Sequence, residues 1–101
     1  MRAPNECTTM SELRVAIDAL DQEVVALLSK RAAYIDRAVV LKPNEGLPAR
    51  IDERVEEVAH NARKNAESAG FDPDLAEEIW RLMIEWSIKR EEKTLGPSTG
   101  P

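Results

Sequence analysis

Two basic and two apolar residues share one face of a predicted helix in the stretch SKRAAYIDRAVVLK: Arg31, Ile35, Ala38 and Lys42. A helix turns by ~100° and rises by ~1.5 Å per residue, so these residues fall in one narrow sector, with Arg31 and Lys42 about 16 Å apart along the axis. Two long cationic side chains can therefore reach toward each other across the gap that Ala38 leaves open. This pattern predicts a pocket for a small anion.

Polar residues also interrupt apolar faces of the two later helices that the sequence predicts. On the third helix, steps of four, three and four residues place a hydroxyl and a carboxyl in line with two apolar side chains. These four residues are Trp80, Ile84, Ser87 and Glu91. On the second helix, Arg54 adjoins an apolar stripe. Together the three helices are expected to direct five polar side chains at one volume: Arg31, Lys42, Arg54, Ser87 and Glu91.

Arg14 stands apart from this set. It precedes Arg31 by about 25 Å along the same helix and lies ~100° around it, so the two cannot hold one small molecule from a single chain. If Arg14 contributes to the pocket, it must come from the other subunit of an antiparallel pair. Taken singly, each of these basic residues would be read as a solvated charge or half of a surface ion pair. Only the joint pattern favours a site.

The elements that must position these side chains are three helices, which predicts an all-α fold. The segment TMSE has the form of a capping box, Pro43 ends the first helix, and Gly70 ends the second. The predicted helices run from Thr9 or Ser11 to Lys42, from Pro48 or Ala49 to Ala69, and from Asp72 or Pro73 to about Lys93. We expect a leader at 1–8, one domain at 9–95, and a tail at 96–101 whose composition cannot pack.

Apolar residues at helical spacing define the faces that should be covered. On the first helix they include Leu13, Ile17, Leu20, Val24 and Leu27; on the second, Leu47, Ile51, Val55, Val58, Ala62 and Ala66; on the third, Leu75, Ile79, Leu82, Met83 and Trp86, with Ile88 as a further candidate. A first helix of ~30 residues is too long for the rest of a 101-residue chain to cover. The pattern therefore predicts that this helix packs against a partner chain, and we expect a homo-oligomer.

Composition excludes several functional classes. A net charge of −5 without a basic stripe argues against a nucleic-acid partner. Cys7 is the one cysteine, which excludes a disulfide within the chain and a thiolate metal site. The sequence shows no long uncharged apolar run and no apolar signal segment, so we expect a cytoplasmic protein with no membrane partner. We expect neither a metal nor another cofactor.

Four segments carry a resemblance to a known family, and together they span about residues 8–95. They are ELRVAIDALDQEVVALLSKR (12–31), YIDRAVVLK (34–42), RIDERV (50–55) and WRLMIEWSIKREE (80–92). The chain resembles the all-helical, AroQ-class chorismate mutases and their relatives, the isochorismate-pyruvate lyases. The resemblance implies three helices per chain and an intertwined dimer with two active sites, each receiving Arg14 from the other subunit.

The resemblance also implies roles for single residues. Three arginines, Arg14, Arg31 and Arg54, would bind the two carboxylates of a dianionic substrate. Lys42 would contact its ether oxygen, and Ser87 would help to seat the ring carboxylate. The rearrangement of chorismate to prephenate is unimolecular, so no nucleophile or cofactor is needed. Fixing the substrate's conformation and stabilising charge on the ether oxygen would supply the catalysis.

Two positions depart from the usual mutase pattern. Glu91 stands where a glutamine is more common, and a protonated Glu91 would donate a hydrogen bond to the ether oxygen as glutamine does, which predicts higher activity at mildly acid pH. Val55 stands where a glutamate often binds the ring hydroxyl. Because Val55 and the PNECTTM leader are shared with the lyase-like relatives, isochorismate-pyruvate lyase is the alternative to chorismate mutase. A helical dimer that binds partners without catalysis is the third hypothesis.

Overall fold

A computed structural model describes residues 2–97, which are helical or irregular and contain no β-strand. The three helices are α1 (Met10–Leu41), α2 (Asp52–Ala69) and α3 (Pro73–Leu95), with short 3-10 turns at Pro4–Glu6 and Pro43–Glu45. The predicted all-α class with three helices is confirmed. Most of the predicted tail lies outside the described residues. The chain divides into two compact units, Met1–Tyr34 and Ile35–Pro101.

The first unit begins with a leader that is hydrogen-bonded to the start of α1. Thr9 Oγ1 accepts from the backbone N of Glu12 at 3.1 Å, as the predicted capping box requires. The Glu12 carboxylate accepts from the backbone N of Thr8 at 2.9 Å, one residue earlier than in the standard motif. This backbone hydrogen bond and the Arg2 guanidinium hold the pKa of Glu12 below its ordinary value. The local bonds explain why α1 begins at Met10.

None of the described residues of α1 is buried, although the helix is rich in leucine and valine. The side chains that the sequence predicts to be covered, including Ile17, Leu20, Val24 and Leu27, are exposed in the single chain. An apolar surface of this extent is typical of a face that packs on a partner.

A loop joins α1 to α2 in the second unit. Gly46 closes the turn at Pro43–Glu45 with a positive φ of 69°, a conformation that glycine adopts without the steric cost a side chain adds. The prediction that the second helix begins at Pro48 or Ala49 is wrong, because Ile51 has an extended backbone and is the N-cap of a helix that begins at Asp52. Two acidic residues, Asp52 and Glu53, occupy the first turn of α2, where the helix dipole favours negative charge.

The helices α2 and α3 pack together on small and branched side chains. A buried cluster contains Ala49, Ala59, Ile84 and Ile88, with Val55, Val58 and Leu95 partly buried against it. Ala62 and Ala66 are also buried, so the predicted inner face is confirmed for the residues within α2, whereas Leu47 precedes the helix and is 40% exposed. Because alanines line α2, the two helices can approach closely.

The predicted apolar stripe of α3 is largely uncovered in the single chain, and its packing on a partner stays a prediction. The expected stripe of Leu75, Ile79, Leu82 and Trp86 is exposed, with Leu82 at 74% and Trp86 at 51%. The buried residues of α3 are instead Ala76, Ile84, Ser87, Ile88 and Glu91. Two apolar stripes on one helix cannot both face α2. The stripe that ends in Glu91 faces inward, where Lys42 forms an ion pair with the Glu91 carboxylate.

The boundary between α2 and α3 follows the predicted signals. Gly70 ends α2 with a φ of 74°, and Phe71 N donates to Ala66 O at 2.8 Å. Asp72 caps α3, since its Oδ1 accepts from the backbone N of Asp74 at 2.9 Å. The helix then continues to Leu95, two residues beyond the predicted Lys93.

Arginine-carboxylate pairs join the helices of the second unit at its surface. Arg81 of α3 binds Glu56 of α2 at 3.0 Å and Glu77 of its own helix at 2.7 Å. Arg90 binds Asp36 at 2.6 Å and lies over the ring of Trp86, 5.2 Å from its centre. None of the described helices is long and apolar enough to cross a bilayer.

Candidate active site

The buried ion pair between Lys42 and Glu91 is the centre of the candidate site. Lys42 Nζ lies 2.7 Å from Glu91 Oε1, and the two side chains are only 18% and 5% exposed. Lys42 Nζ also donates a hydrogen bond to the backbone O of Ala49 at 2.8 Å. The site is therefore assembled from the end of α1, the loop before α2, and the last turns of α3.

The second partner in this pair, Glu91, has unused hydrogen-bonding capacity. Its Oε1 is enclosed, and the Lys42 ammonium approaches it closely but outside hydrogen-bond geometry. Among residues 2–97 this oxygen has no hydrogen-bond donor. A buried carboxylate oxygen with a charge partner but no donor can accept a hydrogen bond from a ligand or take up a proton.

Ser87 lies one helical turn before Glu91 on the same face of α3. It is 4% exposed and is flanked by the buried side chains of Ile84 and Ile88. The structure thus places two of the predicted site residues of α3 on the buried face of that helix, and it brings Lys42 to one of them.

Arg54 is placed differently. Its side chain is 62% exposed and forms an ion pair with Glu57 on the same helix. The structure therefore does not bring Arg54 to the Lys42–Glu91 pair. The next residue, Val55, packs partly buried against the core cluster, which accounts for an apolar side chain at this position.

The remaining two predicted site residues lie on α1 in the first unit. Arg14 is exposed and Arg31 is partly buried. Their contribution to the site stays a prediction.

Sequence reasoning missed two features around Lys42. One is the backbone oxygen of Ala49, which residue types cannot reveal because every residue carries a carbonyl. The other is the pair formed by Arg50 and Glu85, in which Nη1 and Nη2 donate to Oε1 and Oε2 at 2.9 and 2.6 Å. This pair lowers the pKa of the Glu85 carboxyl, chiefly through the hydrogen bond from Arg50.

The arrangement is suited to electrostatic rather than nucleophilic chemistry. A lysine ammonium fixed by two partners in a largely dry environment can stabilise negative charge that develops on a nearby oxygen. Glu91 adds an acceptor beside it, or a donor if it carries a proton.

Comparison with known proteins assigns this architecture to a family. Residues 13–92 match the family described as chorismate mutase type II. The chain belongs to the chorismate mutase type II family. The family resemblance drawn from the sequence is thereby confirmed. The matched residues include all of α2, most of α1 and α3, and each of the six predicted site residues.

Individual relatives within this family carry different names. The chain is 32% identical over 94 residues to an isochorismate pyruvate lyase of Pseudomonas aeruginosa, covering 92% of this chain and 91% of the relative. It is 33% identical over 96 residues to a T-protein of Enterobacter agglomerans, covering 91% of this chain and 26% of the relative. It is 32% identical over 95 residues to a bifunctional chorismate mutase/prephenate dehydratase of Aquifex aeolicus, covering 91% of this chain and 26% of the relative.

These relatives differ in length. The chain spans nearly all of the Pseudomonas protein but only about a quarter of the T-protein and the bifunctional enzyme. Similarity to the longer proteins therefore concerns one part of each.

Proposed function

We propose that this chain is a chorismate mutase, an isomerase that converts chorismate to prephenate without a cofactor. The observation that carries the proposal is the largely buried Lys42 ammonium, held by Ala49 O and Glu91 in a chain of the chorismate mutase type II family. Chorismate is a dianion whose rearrangement develops negative charge on the ether oxygen. A fixed ammonium at that oxygen stabilises the transition state more than the ground state.

Conformational control of the substrate is the second part of the proposed mechanism. The enolpyruvyl arm must fold over the ring before the bonds can rearrange, and binding both carboxylates fixes that geometry. We assign this role to three arginines, Arg14, Arg31 and Arg54, with Ser87 at the ring carboxylate. Arg54 would exchange its partner Glu57 for a substrate carboxylate, which its exposed position permits.

A homodimer is the proposed functional unit. Support comes from α1, which has no buried side chain among its described residues, and from the exposed stripe of α3 that contains Leu82 and Trp86. Pairing of two chains would cover this apolar surface, a gain of ~25 cal/mol per Å². It would also allow Arg14 of one chain to enter the site of the other. The proposed setting is the cytoplasm.

The alternative enzyme is an isochorismate-pyruvate lyase. It is favoured by the similarity to the Pseudomonas lyase over nearly its whole length and by Val55, an apolar residue where a mutase often has a hydroxyl ligand. Lysis of isochorismate breaks a bond to the same kind of ether oxygen, so Lys42 would serve either reaction. A non-catalytic helical dimer is the third possibility.

A two-substrate assay tests the proposal. Purified protein is supplied with chorismate or isochorismate, and prephenate, salicylate and pyruvate are measured at pH 5 and 7.5. We expect a higher kcat/KM for chorismate. A preference for isochorismate would replace the mutase with the lyase, and no turnover of either substrate at both pH values would support the non-catalytic dimer.

A further inference from the structure

We propose that Arg50 and Glu85 form a latch that positions Lys42 through the carbonyl oxygen of Ala49. Neither latch residue would touch the substrate, so both are positioning residues. The inference rests on the proposed function for its kinetic consequence, but the geometry of the latch can be tested without it.

The contacts form a continuous path. Lys42 Nζ donates to Ala49 O at 2.8 Å, and Ala49 is bonded to Arg50. Arg50 donates to both carboxylate oxygens of Glu85 at 2.9 and 2.6 Å. Glu85 lies on α3, the same helix that carries Glu91, the ion-pair partner of Lys42. The ammonium is thus held to α3 twice, directly through Glu91 and indirectly through the loop.

The loop needs such an anchor beside Ala49. Backbone hydrogen bonds hold its first part, including Leu47 N to Lys42 O at 2.9 Å, and the turns of α2 hold the chain from Ile51 onward. Consecutive Cα atoms are about 3.8 Å apart, so fixing Arg50 to α3 leaves the neighbouring carbonyl little room to move. Ala49 itself is buried in the core cluster, which further restrains this part of the loop.

The two-pronged geometry separates this pair from an ordinary surface ion pair. Single exposed pairs contribute little because the side chains lose conformational freedom and solvent screens the charges. A guanidinium that donates to both oxygens of one carboxylate fixes orientation as well as distance. Its effect is expected on the position of Lys42 more than on the stability of the fold.

The kinetic test compares Glu85→Gln with a matched control, Glu56→Gln. Glu56 pairs with Arg81 across α2 and α3 in the same way, but that pair has no connection to the loop. We expect Glu85→Gln to lower kcat about tenfold with a smaller change in KM, because a displaced ammonium weakens a contact made chiefly in the transition state. Glu56→Gln should leave both constants near the wild-type values, while the two variants lose similar amounts of thermal stability.

Exchanging the charges of Arg50 and Glu85 tests whether the ion pair itself is responsible for the effect. Arg50→Glu should lower kcat as Glu85→Gln does, and combining Arg50→Glu with Glu85→Arg should recover part of the loss. Equal kcat values for Glu85→Gln and Glu56→Gln would overturn the latch.

An NMR measurement tests the latch independently of the proposed reaction. Lysine labelled with ¹³C at Cε reports the surroundings of each ammonium group by NMR, and the missing signal of Lys42→Gln identifies Lys42. We expect the Lys42 signal to shift in Glu85→Gln and to stay in place in Glu56→Gln. If the wild type turns over neither substrate, the proposed function fails while this measurement still decides the latch. An unchanged Lys42 signal in Glu85→Gln would refute it.

Discussion

Lys42 is mostly enclosed although it carries a charge, and it holds that position through one carbonyl and one carboxylate. Enclosing an ammonium costs free energy unless partners replace the lost water, and the two partners here come from different segments of the chain. A charged residue that is buried despite this cost is a strong candidate for function, because an exposed lysine would cost the fold less free energy.

Replacing Lys42 with alanine should lower kcat by about 10²-fold or more, the scale reported when one charge-stabilising donor is lost. Lys42→Gln is the companion variant, since its amide can still donate to Ala49 O while the charge is gone. Lys64→Ala, at an exposed position of α2, is the control. Steady-state kinetics with chorismate provide the measurement. Turnover near that of the control would remove Lys42 from the mechanism.

Glu91→Gln should flatten the dependence of kcat on pH. The hypothesis drawn from the sequence is that a protonated carboxyl donates to the ether oxygen and an ionised one does not. An amide donates at every pH. Glu78→Gln, at an exposed position on the same helix, should retain the wild-type profile. If Glu91→Gln keeps the acid preference, another group is responsible for it.

The sequence predicted the residue types of the site better than their contacts. Lys42 and Glu91 were expected to share one volume, and the structure pairs them at 2.7 Å. Arg54 was expected there as well, but in the single chain its long, flexible side chain pairs with Glu57. Helical spacing determines the face of the helix on which a side chain lies, but it does not determine the rotamer. It also gives no information on backbone groups such as the Ala49 carbonyl.

At the scale of elements, the cap of α3 controls a helix that carries Ser87 and Glu91. Asp72→Ala should lower the free energy of unfolding by about 1 kcal/mol, since two backbone N–H groups lose their acceptor. Asp72→Asn should retain most of the stability, because asparagine also caps. Chemical denaturation of the three proteins measures the difference. Equal stability of Asp72→Ala and the wild type would show that water replaces the cap without cost.

The sequence predicts a helix boundary correctly where the residues at that boundary determine it. The prediction fails where packing with the rest of the chain determines the boundary. Gly70 and Asp72 mark a stop and a start by their own conformational preferences, and both were predicted. The start of α2 was placed too early, because the Ala49 carbonyl accepts a hydrogen bond from the Lys42 side chain in the preceding loop. On α3, Leu82 and Ile84 belong to two different apolar stripes, and periodicity alone cannot choose which of them faces α2.

At the scale of the whole molecule, stability should fall in acid. Hydrogen bonds from arginines lower the pKa of several surface carboxyls, among them Asp36, Glu56, Glu77 and Glu85. A carboxyl whose pKa is lower in the folded state than in the unfolded chain stabilises the fold above its ordinary pKa and loses that contribution as pH falls through its folded value. These glutamates have an ordinary value of 4.5, so the loss should begin near that pH.

Urea unfolding at pH 7, 5, 4 and 3 measures this effect. The midpoint should change little between pH 7 and 5 and should drop below pH 4.5. High salt should reduce the drop by screening the pairs. A midpoint that is constant down to pH 3 would mean that the pairs persist in the unfolded chain or contribute nothing.

Mixing two inactive variants tests whether subunits share a site. Arg14→Ala and Lys42→Ala chains should recover about a quarter of wild-type activity after exchange, since half of the random dimers would carry one intact site of two. A mixture of Lys42→Ala and Glu91→Ala is the control, because one chain supplies both residues to the same site. No recovery, despite exchange demonstrated by mass spectrometry, would exclude a contribution of Arg14 across the dimer.

The environment of Lys42 has a consequence for ligand choice. The ammonium donates one hydrogen bond to Ala49 O, and the Glu91 carboxylate lies 2.7 Å from the same nitrogen. Two sides of the nitrogen are therefore occupied before any ligand arrives. A single bridging oxygen can approach the remaining side without disturbing either neighbour, whereas a group that presents two acceptors at this point would have to displace one of them. The space left around one nitrogen thus restricts which ligands can bind.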